Sequence, residues 1–550
     1  MDFSPLVRQA NIERMKRDVF DVVVIGGGIT GAGIARDAAL RGLSVALVEK
    51  DDFASGTSSK SARLVHGGFR YLEQFQFGLV VGACAERYKL CHIAPRLVRP
   101  LPFTFPVYQS SKHSLLKIRL GMWLYDLLAL FRNIRRHRIL GPQQVAAVEP
   151  AVDQRGLVGA ACYYDCLTDD ARLTLATIQS AHQQDALIAN HAGVCGLLKD
   201  KGRVAGVEVI DGITGTRFTV RARVTVNATG VWADRIRQMD DPGAEDIIRV
   251  NRGSHLVLPR QKLGIHGAVT FTSADGQRAM YVVPWGETCI VGTTDVDHQG
   301  DLDQVYITAP EAEFILTSTQ RAFPEARLTR DDIISTFAGL RPLIGKEGKA
   351  AYQVSRDHHI FESDAGLVSI AGGKLTTYRR MAEDLVDLVS GKLEAEFGVK
   401  IEQRCRSGRL ALAEAAFDPQ REPLRLGECY PQCAPDILEH LALTYGPAAS
   451  TVLAWTTDDA MMGRRIVPGL SYIRAEAPYA IQHEMALTLS DFLVRRTHVV
   501  HEDREQGMGC AFDVATMMAQ YLEWSAVEIE RQIEQYRQQV ELTRAFQRER

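Results

Sequence analysis

At 550 residues the chain is too long for a single hydrophobic core, so two or three domains are expected. With 46% hydrophobic and 24% charged residues it has the composition of a folded soluble protein, and a formal charge of −3 argues against a polyanion-coating surface and so against nucleic acid as a partner. The ten cysteines include no CxxC pair; the closest spacings, Cys162 to Cys166 and Cys429 to Cys433, lack the neighbouring histidines of a tetrahedral site, so no metal is expected and the thiols fit a reducing, cytosolic compartment.

The first residues, MDFSPLVRQANIERMKRDVF, are polar and mixed in charge, without the apolar core of a signal peptide. Residues 21–50, DVVVIGGGITGAGIARDAALRGLSVALVEK, then form a complete βαβ unit: a buried-strand run over 22–25, a small-residue helix, a second apolar run from Leu43, and a closing Glu49. Gly26 permits the tight turn, Gly28 lets backbone N–H groups approach a pyrophosphate, and Gly31 lets helix and strand pack closely. Ile29 and Thr30 open the helix whose positive end carries the diphosphate. Glu49, about twenty residues on, can accept a hydrogen bond from a ribose 2′-OH and would repel a 2′-phosphate. With Lys50 beside it, the unit predicts an adenine dinucleotide without that phosphate, FAD or NAD.

Residues 51–73, DDFASGTSSKSARLVHGGFRYLE, read as an ordered loop. Thr57, Ser58 and Ser59 suit phosphate contacts, and His66, Gly67 and Gly68 bring backbone against something flat just before Arg70 and Tyr71. Residues 112–138 form the most amphipathic stretch, with seven Lys and Arg flanking an apolar centre, Leu120 to Phe131, that Asp126 interrupts. That centre is too short to span a bilayer. On an anionic surface each basic residue contributes about 1 kcal/mol, giving roughly 6 kcal/mol at most and reversible attachment. The same pattern also suits a core or dimer helix.

From Leu157 to Val250 strand patterns return, ending in the buried strand Val224 to Asn227 and a second small-residue turn, Ala228-Thr229-Gly230. Residues 250–335 alternate as an antiparallel, substrate-facing sheet. A strand from Gly366 to Ile370 leads to a third glycine turn, 371–374, which opens a helix through Thr377 and Met381. Three such turns imply one long cofactor touched from several points. Beyond about residue 400 the pattern is helical, as in APYAIQHEMALTLSDFLVRRTH.

Taken together, GGGITGAGIARDAALRG with Glu49, SSKSARLVHGGFRYLE, NATGVWAD, RGSHLVLP, YVVPWG, GTTD, FAGLRPL, SRDH and GGKLTTYRRMAE resemble the FAD-dependent, membrane-associated glycerol-3-phosphate dehydrogenases over essentially the whole chain. The resemblance implies an α/β + α protein: a glutathione-reductase-like FAD-binding Rossmann domain (18–105, 150–245 and 336–398), an antiparallel-sheet substrate domain (106–149 and 246–335) and a helical C-terminal cap domain (399–550). It turns the choice of cofactor to FAD. It also implies oxidation of sn-glycerol 3-phosphate to dihydroxyacetone phosphate, electrons passed to a membrane quinone, and a cytoplasmic protein held peripherally on the inner face of the plasma membrane. A homodimer and covalent flavin attachment at His66 are left open.

Oxidising a secondary alcohol by hydride transfer needs a base, cations for a dianionic phosphate, and a dry pocket. His255 in RGSH is the expected base, titrating as an unshifted imidazole near ~6.5. Arg70, Arg341 and Lys374 resemble the family's substrate-binding cations, with Tyr71 and Arg278 as further contacts; arginine's fork meets phosphate oxygens two at a time. Gly339, Gly373, Leu375 and Thr376 join the expected cofactor contacts. Three alternatives compete: an oxygen-using glycerol-3-phosphate oxidase, an amino-acid or sarcosine-type oxidase on the same fold, and a non-catalytic dinucleotide-binding protein. The resemblance implies that the oxygen-using relatives often carry an inserted segment between the GLRPL and GGK motifs, so the short connection between Arg341 and Lys374 here favours quinone over oxygen.

Overall fold

A computed structural model describes residues 2–130, 132–345, 357–401, 403–412 and 417–548; Ser355 and Arg356 of the SRDH motif, and the side chain of Arg70, lie outside the described residues. Val22–Val24 are fully buried, as a strand covered on both faces requires. Val19–Ile25 pairs in parallel with Val45–Val48 on one side and Arg217–Asn227 on the other. The first sheet continues outward to Leu187–Ala189 at one edge and through Val368–Gly372 to His358–Glu362 at the other. Helices Ile29–Leu40, Asp170–His182 and Tyr378–Phe397 cover one face. Gly33 makes this packing close, since a Cβ there would meet the Tyr378 ring at 2.9 Å.

The second sheet is wider than the expected 250–335 region. Its order is Val296–Asp297, Ile248–Pro259, Thr288–Gly292, Ala279–Trp285, Ala268–Thr272, Val98–Tyr108, Leu157–Thr168 and Leu64–Val65, with Ser335–Ile344 and Arg138–Leu140 joining from the side. Strands 98–108, 157–168 and 335–344 were expected mostly in the cofactor half. Three prolines hide the first of them in the sequence: Pro100, Pro102 and Pro106 fall at alternate positions, opposite Cys166, Tyr164 and Ala160, so every missing N–H has the same parity and the ladder survives.

The C-terminal region is helical, with Glu476–Glu484, Ala511–Leu522 and Ala526–Thr543 around one apolar cluster. The helical stretch over residues 477–498 is not one continuous helix. Met485 turns to φ +53°, and the Asp491 carboxylate accepts from the N–H groups of Leu487 and Thr488 before a short π-turn, Asp491–Arg496, begins. No described helix is long and apolar enough to cross a membrane.

Candidate active site

The first glycine turn is shaped by what lies next to it. At Gly26 (φ +110°) a Cβ would stand 2.8 Å from the carbonyl oxygen of Ala228, so the first turn and the second, Ala228-Thr229-Gly230, touch through bare backbone. A Cβ on Gly31 would collide with the carbonyl of Gly26, which is why helix Ile29–Leu40 can start so close to its strand. The Glu49 carboxylate accepts from Gly27 N–H at 2.6 Å and Asp51 N–H at 2.9 Å; burial pushes its pKa up, making it a weaker acid, despite those two bonds. The remaining turns are tied to the same place. Thr57 Oγ1 donates to the Leu340 carbonyl at 2.5 Å, and Thr376 Oγ1 accepts from His66 N–H at 3.1 Å, joining the His66 loop to the third glycine turn.

These elements enclose one cavity of about 1890 Å³, well above the roughly 1,000 Å³ that accommodates a drug-sized ligand. Gly26, Gly28, Ile29, Thr30, Glu49, Lys50, Thr57, Ser58, His66, Gly68, Ala228, Thr229, Gly230, Gly339, Gly373, Lys374, Leu375 and Thr376 line it. So do Tyr71, His255, Arg278 and Arg341. Three residues anticipated at the cofactor do not line it. Gly31 serves helix packing, Ser59 closes the turn on Gly56, and Gly67 donates its N–H to Asp165 at 2.9 Å.

His255 and Arg341 come from paired strands, where His255 lies opposite Phe337 and Arg341 opposite Asn251. Asn251, Gly253 and His255 share one face of their strand. A side chain on Gly253 would collide with the Arg341 guanidinium, so the glycine is what lets that cation lie across the sheet near His255. Arg341 is held there by Asn251 Oδ1 at 2.7 Å, Thr293 Oγ1 at 2.9 Å and, more distantly, Asp295. His255 is 3% exposed and stacks on Phe337 with ring centroids 4.8 Å apart. Neither ring nitrogen has a hydrogen-bond partner among the described residues. The expectation of an unshifted imidazole is corrected: burial, helped by the positive charges of Arg341 and Arg63, pushes His255 down to about 3. It is neutral throughout the physiological range. Lys374 places its ammonium 3.8 Å from the centroid of the buried Tyr71 ring. Arg278 is half-buried, with its guanidinium 5.7 Å from the Phe314 ring centroid.

Sequence reasoning passed over several neighbours. Asn251 and Thr293 orient Arg341, and the alternation 251, 253, 255 was the available signal for the first. Lys60 lines the cavity too, its ammonium pushed down to about 8 by burial and by nearby Arg495. Arg63 lies 3.7 Å over the Trp285 ring.

Residues 21–379 match the family model described as FAD dependent oxidoreductase, and residues 376–529 match the C-terminal domain of alpha-glycerophosphate oxidase. The glycerol-3-phosphate dehydrogenase of Synechocystis is 35% identical, over 96% of this chain and 98% of its own. Glycerol-3-phosphate dehydrogenase 2 of Mycobacterium tuberculosis is 38% identical, over 98% and 91%. This chain belongs to the FAD-dependent glycerol-3-phosphate dehydrogenase family. Among solved structures, the glycerol-3-phosphate dehydrogenase of Bacillus halodurans complexed with FAD matches over 98% of each chain, with a TM-score of 0.81 and 30% identity. FAD is the cofactor of this dehydrogenase family, and the residues present fit it. At Gly230 (φ +60°) a Cβ would meet no protein atom within 4 Å, so this turn leaves its backbone open to the cavity.

Proposed function

We propose that the protein oxidises sn-glycerol 3-phosphate to dihydroxyacetone phosphate, with FAD as immediate acceptor and a membrane quinone as the next. The names of its relatives support the substrate. The observation that carries the reading is a buried, unpartnered, neutral imidazole beside a clamped arginine in one cavity. When bound, FAD supplies a two-electron acceptor for the hydride. The rest is work for the chain. Arg341 presents its fork to two phosphate oxygens and Lys374 adds a point charge. His255 takes the hydroxyl proton at a ring nitrogen. In the free protein an imidazolium beside Arg341 is costly, but the substrate's dianionic phosphate supplies the missing negative charge. Binding therefore raises the proton affinity of His255 when it is needed.

Quinone as acceptor, and attachment to an anionic membrane, are supported by helix Leu115–Leu128. Leu116, Leu120, Trp123, Leu124 and Leu127 are exposed along it, and Lys112, Lys117, Arg119, Arg132, Arg135, Arg136 and Arg138 are all exposed around it. The one acid of the stretch, Asp126, is buried against His137 and Asn133. What faces outward is apolar and cationic.

Mixing the yellow holoenzyme anaerobically with glycerol 3-phosphate should bleach it, while glycine or sarcosine should not. His255→Ala should slow bleaching roughly 10²–10⁴-fold at saturating substrate. Arg341→Ala should weaken substrate binding by the worth of a charge-assisted contact, about 1.5–3 kcal/mol. A holoenzyme that stays yellow would remove the reading; abundant peroxide in air would replace quinone with oxygen.

A further inference from the structure

Cys91 and Cys166 are remote in sequence and adjacent in space. Cys91 lies in the last turn of helix Phe77–Ile93, Cys166 in strand Leu157–Thr168, and their sulfurs are 3.2 Å apart. Among the described residues no other two cysteines are within hydrogen-bond reach of each other. Closing the gap to a covalent bond of ~2.05 Å needs about 1 Å of movement. Cys91 is half-buried and so within reach of a small oxidant, whereas Cys166 is fully buried. The pair is also polarised. The hydrogen bond from Cys166, and the nearby Arg87 guanidinium, hold the Cys91 thiol below its ordinary value against the effect of burial, while the same bond and burial push Cys166 well up.

The position gives the pair something to act on. Cys166 pairs across the sheet with Val65, the residue before His66. Its neighbour Asp165 holds the N–H of Gly67 at 2.9 Å, and Asp165 is itself gripped by Arg87, one helical turn before Cys91. Helix, strand and cavity-lining loop therefore meet at one peg, with the two sulfurs beside it.

We propose that Cys91 and Cys166 are a reversible redox couple that closes to a disulfide under hydrogen peroxide and, by shifting the Arg87–Asp165 peg, slows the reaction in the adjoining cavity. The Cys91 thiolate attacks peroxide, breaking the O–O bond, forming the sulfenic acid and releasing hydroxide that takes up the thiol proton as water. The Cys166 sulfur then attacks the sulfenic sulfur, and the S–O bond breaks to release a second water as the Cys166 proton is transferred. In sum two thiols and one peroxide give one disulfide and two waters.

The test exposes intact holoenzyme to hydrogen peroxide, blocks remaining thiols, and maps peptides by mass spectrometry before and after dithiothreitol. The expected result is a 91–166 cross-linked peptide, two fewer titratable thiols, at least twofold slower flavin bleaching by substrate, and recovery of all three on reduction. Cys91→Ser and Cys166→Ser, each checked for retained FAD and unchanged melting temperature, should form no cross-link and resist the loss. Both thiols remaining free, a different pair closing first, or a closed bond that leaves the bleaching rate unchanged would each overturn the proposal. The cross-link and thiol count are read without any substrate, so their failure is distinct from failure of the assigned reaction.

Discussion

The neutrality of His255 has a consequence for pH. Its folded pKa, about 3, lies below the ~6.5 of an unfolded imidazole. Between those values the unfolded chain binds a proton that the native one refuses, so this residue's contribution to stability falls as pH drops from 6.5 toward 3, by roughly 1.4 kcal/mol per unit. In catalysis the same depression keeps the free protein's base deprotonated across the working range. The kcat/KM profile should therefore lack a limb near 6.5 from the enzyme, and any acid limb should track the second ionisation of the substrate phosphate, near ~6. Replacing the phosphate by a less acidic phosphonate should move that limb upward. A limb near 6.5 that ignores the substrate would show a base of ordinary acidity. None of this could be read from RGSH, because the protonation of His255 is decided first by its burial in the folded sheet and then by the charges of Arg341 and Arg63, which lie far away in sequence. Gly26 and Gly31 were legible for the opposite reason: each serves a turn completed within a few residues of itself or at the next strand end.

Between elements, a buried ion cluster fixes the helical C-terminal region to the cofactor sheet. Asp52, three residues beyond Glu49, is fully buried and takes Arg496 at 2.7 and 2.9 Å and Arg495 at 2.6 Å. Burial alone would raise its pKa, but the two guanidinium groups hold it below the ordinary carboxylate value. Asp491 reaches across to His191 at 2.9 Å and to Arg495 at 2.9 Å, so the cluster carries its own counter-charges. Removing one member of a buried ion cluster strands the others. Asp52→Asn should cost about 3–5 kcal/mol, seen as a lower melting temperature and earlier proteolysis between the cofactor sheet and residues 417–548. An unchanged melting temperature would mean the region is held by its apolar contacts instead. The helical character of this region was evident from its periodicity. The break at Met485 was not, because it depends on Asp491 capturing two backbone N–H groups where an unbroken helix would have continued. The prolines of strand 98–108 misled in the same way, since their tolerance rests on a register that only the partner strand defines.

At the scale of the whole molecule, the exposed face of helix Leu115–Leu128 must either meet another surface or leave six large apolar side chains, Leu130 included, in water. The sequence showed the amphipathic stretch and read it as a helix that could lie on a membrane, with a core or dimer helix as the alternative. The structure buries Ile118, Met122, Tyr125 and Asp126 and leaves Trp123 and Leu127 outward, so this is a surface helix with two apolar sides. An anionic membrane fits it better than a second copy of the chain, because the rim is cationic: seven exposed basic residues facing their own symmetry mates would repel, whereas each gains about 1 kcal/mol near an anionic bilayer. The protein should co-sediment with phosphatidylglycerol vesicles and much less with phosphatidylcholine ones, and moderate salt should weaken the binding. Trp123→Glu with Leu127→Glu should abolish co-sedimentation while leaving flavin bleaching by dissolved substrate intact, because neither residue lines the cavity. If the double variant instead converts a dimer to a monomer and vesicle binding was never present, the face belongs to self-association. The cationic rim would then need acidic partners on the facing copy.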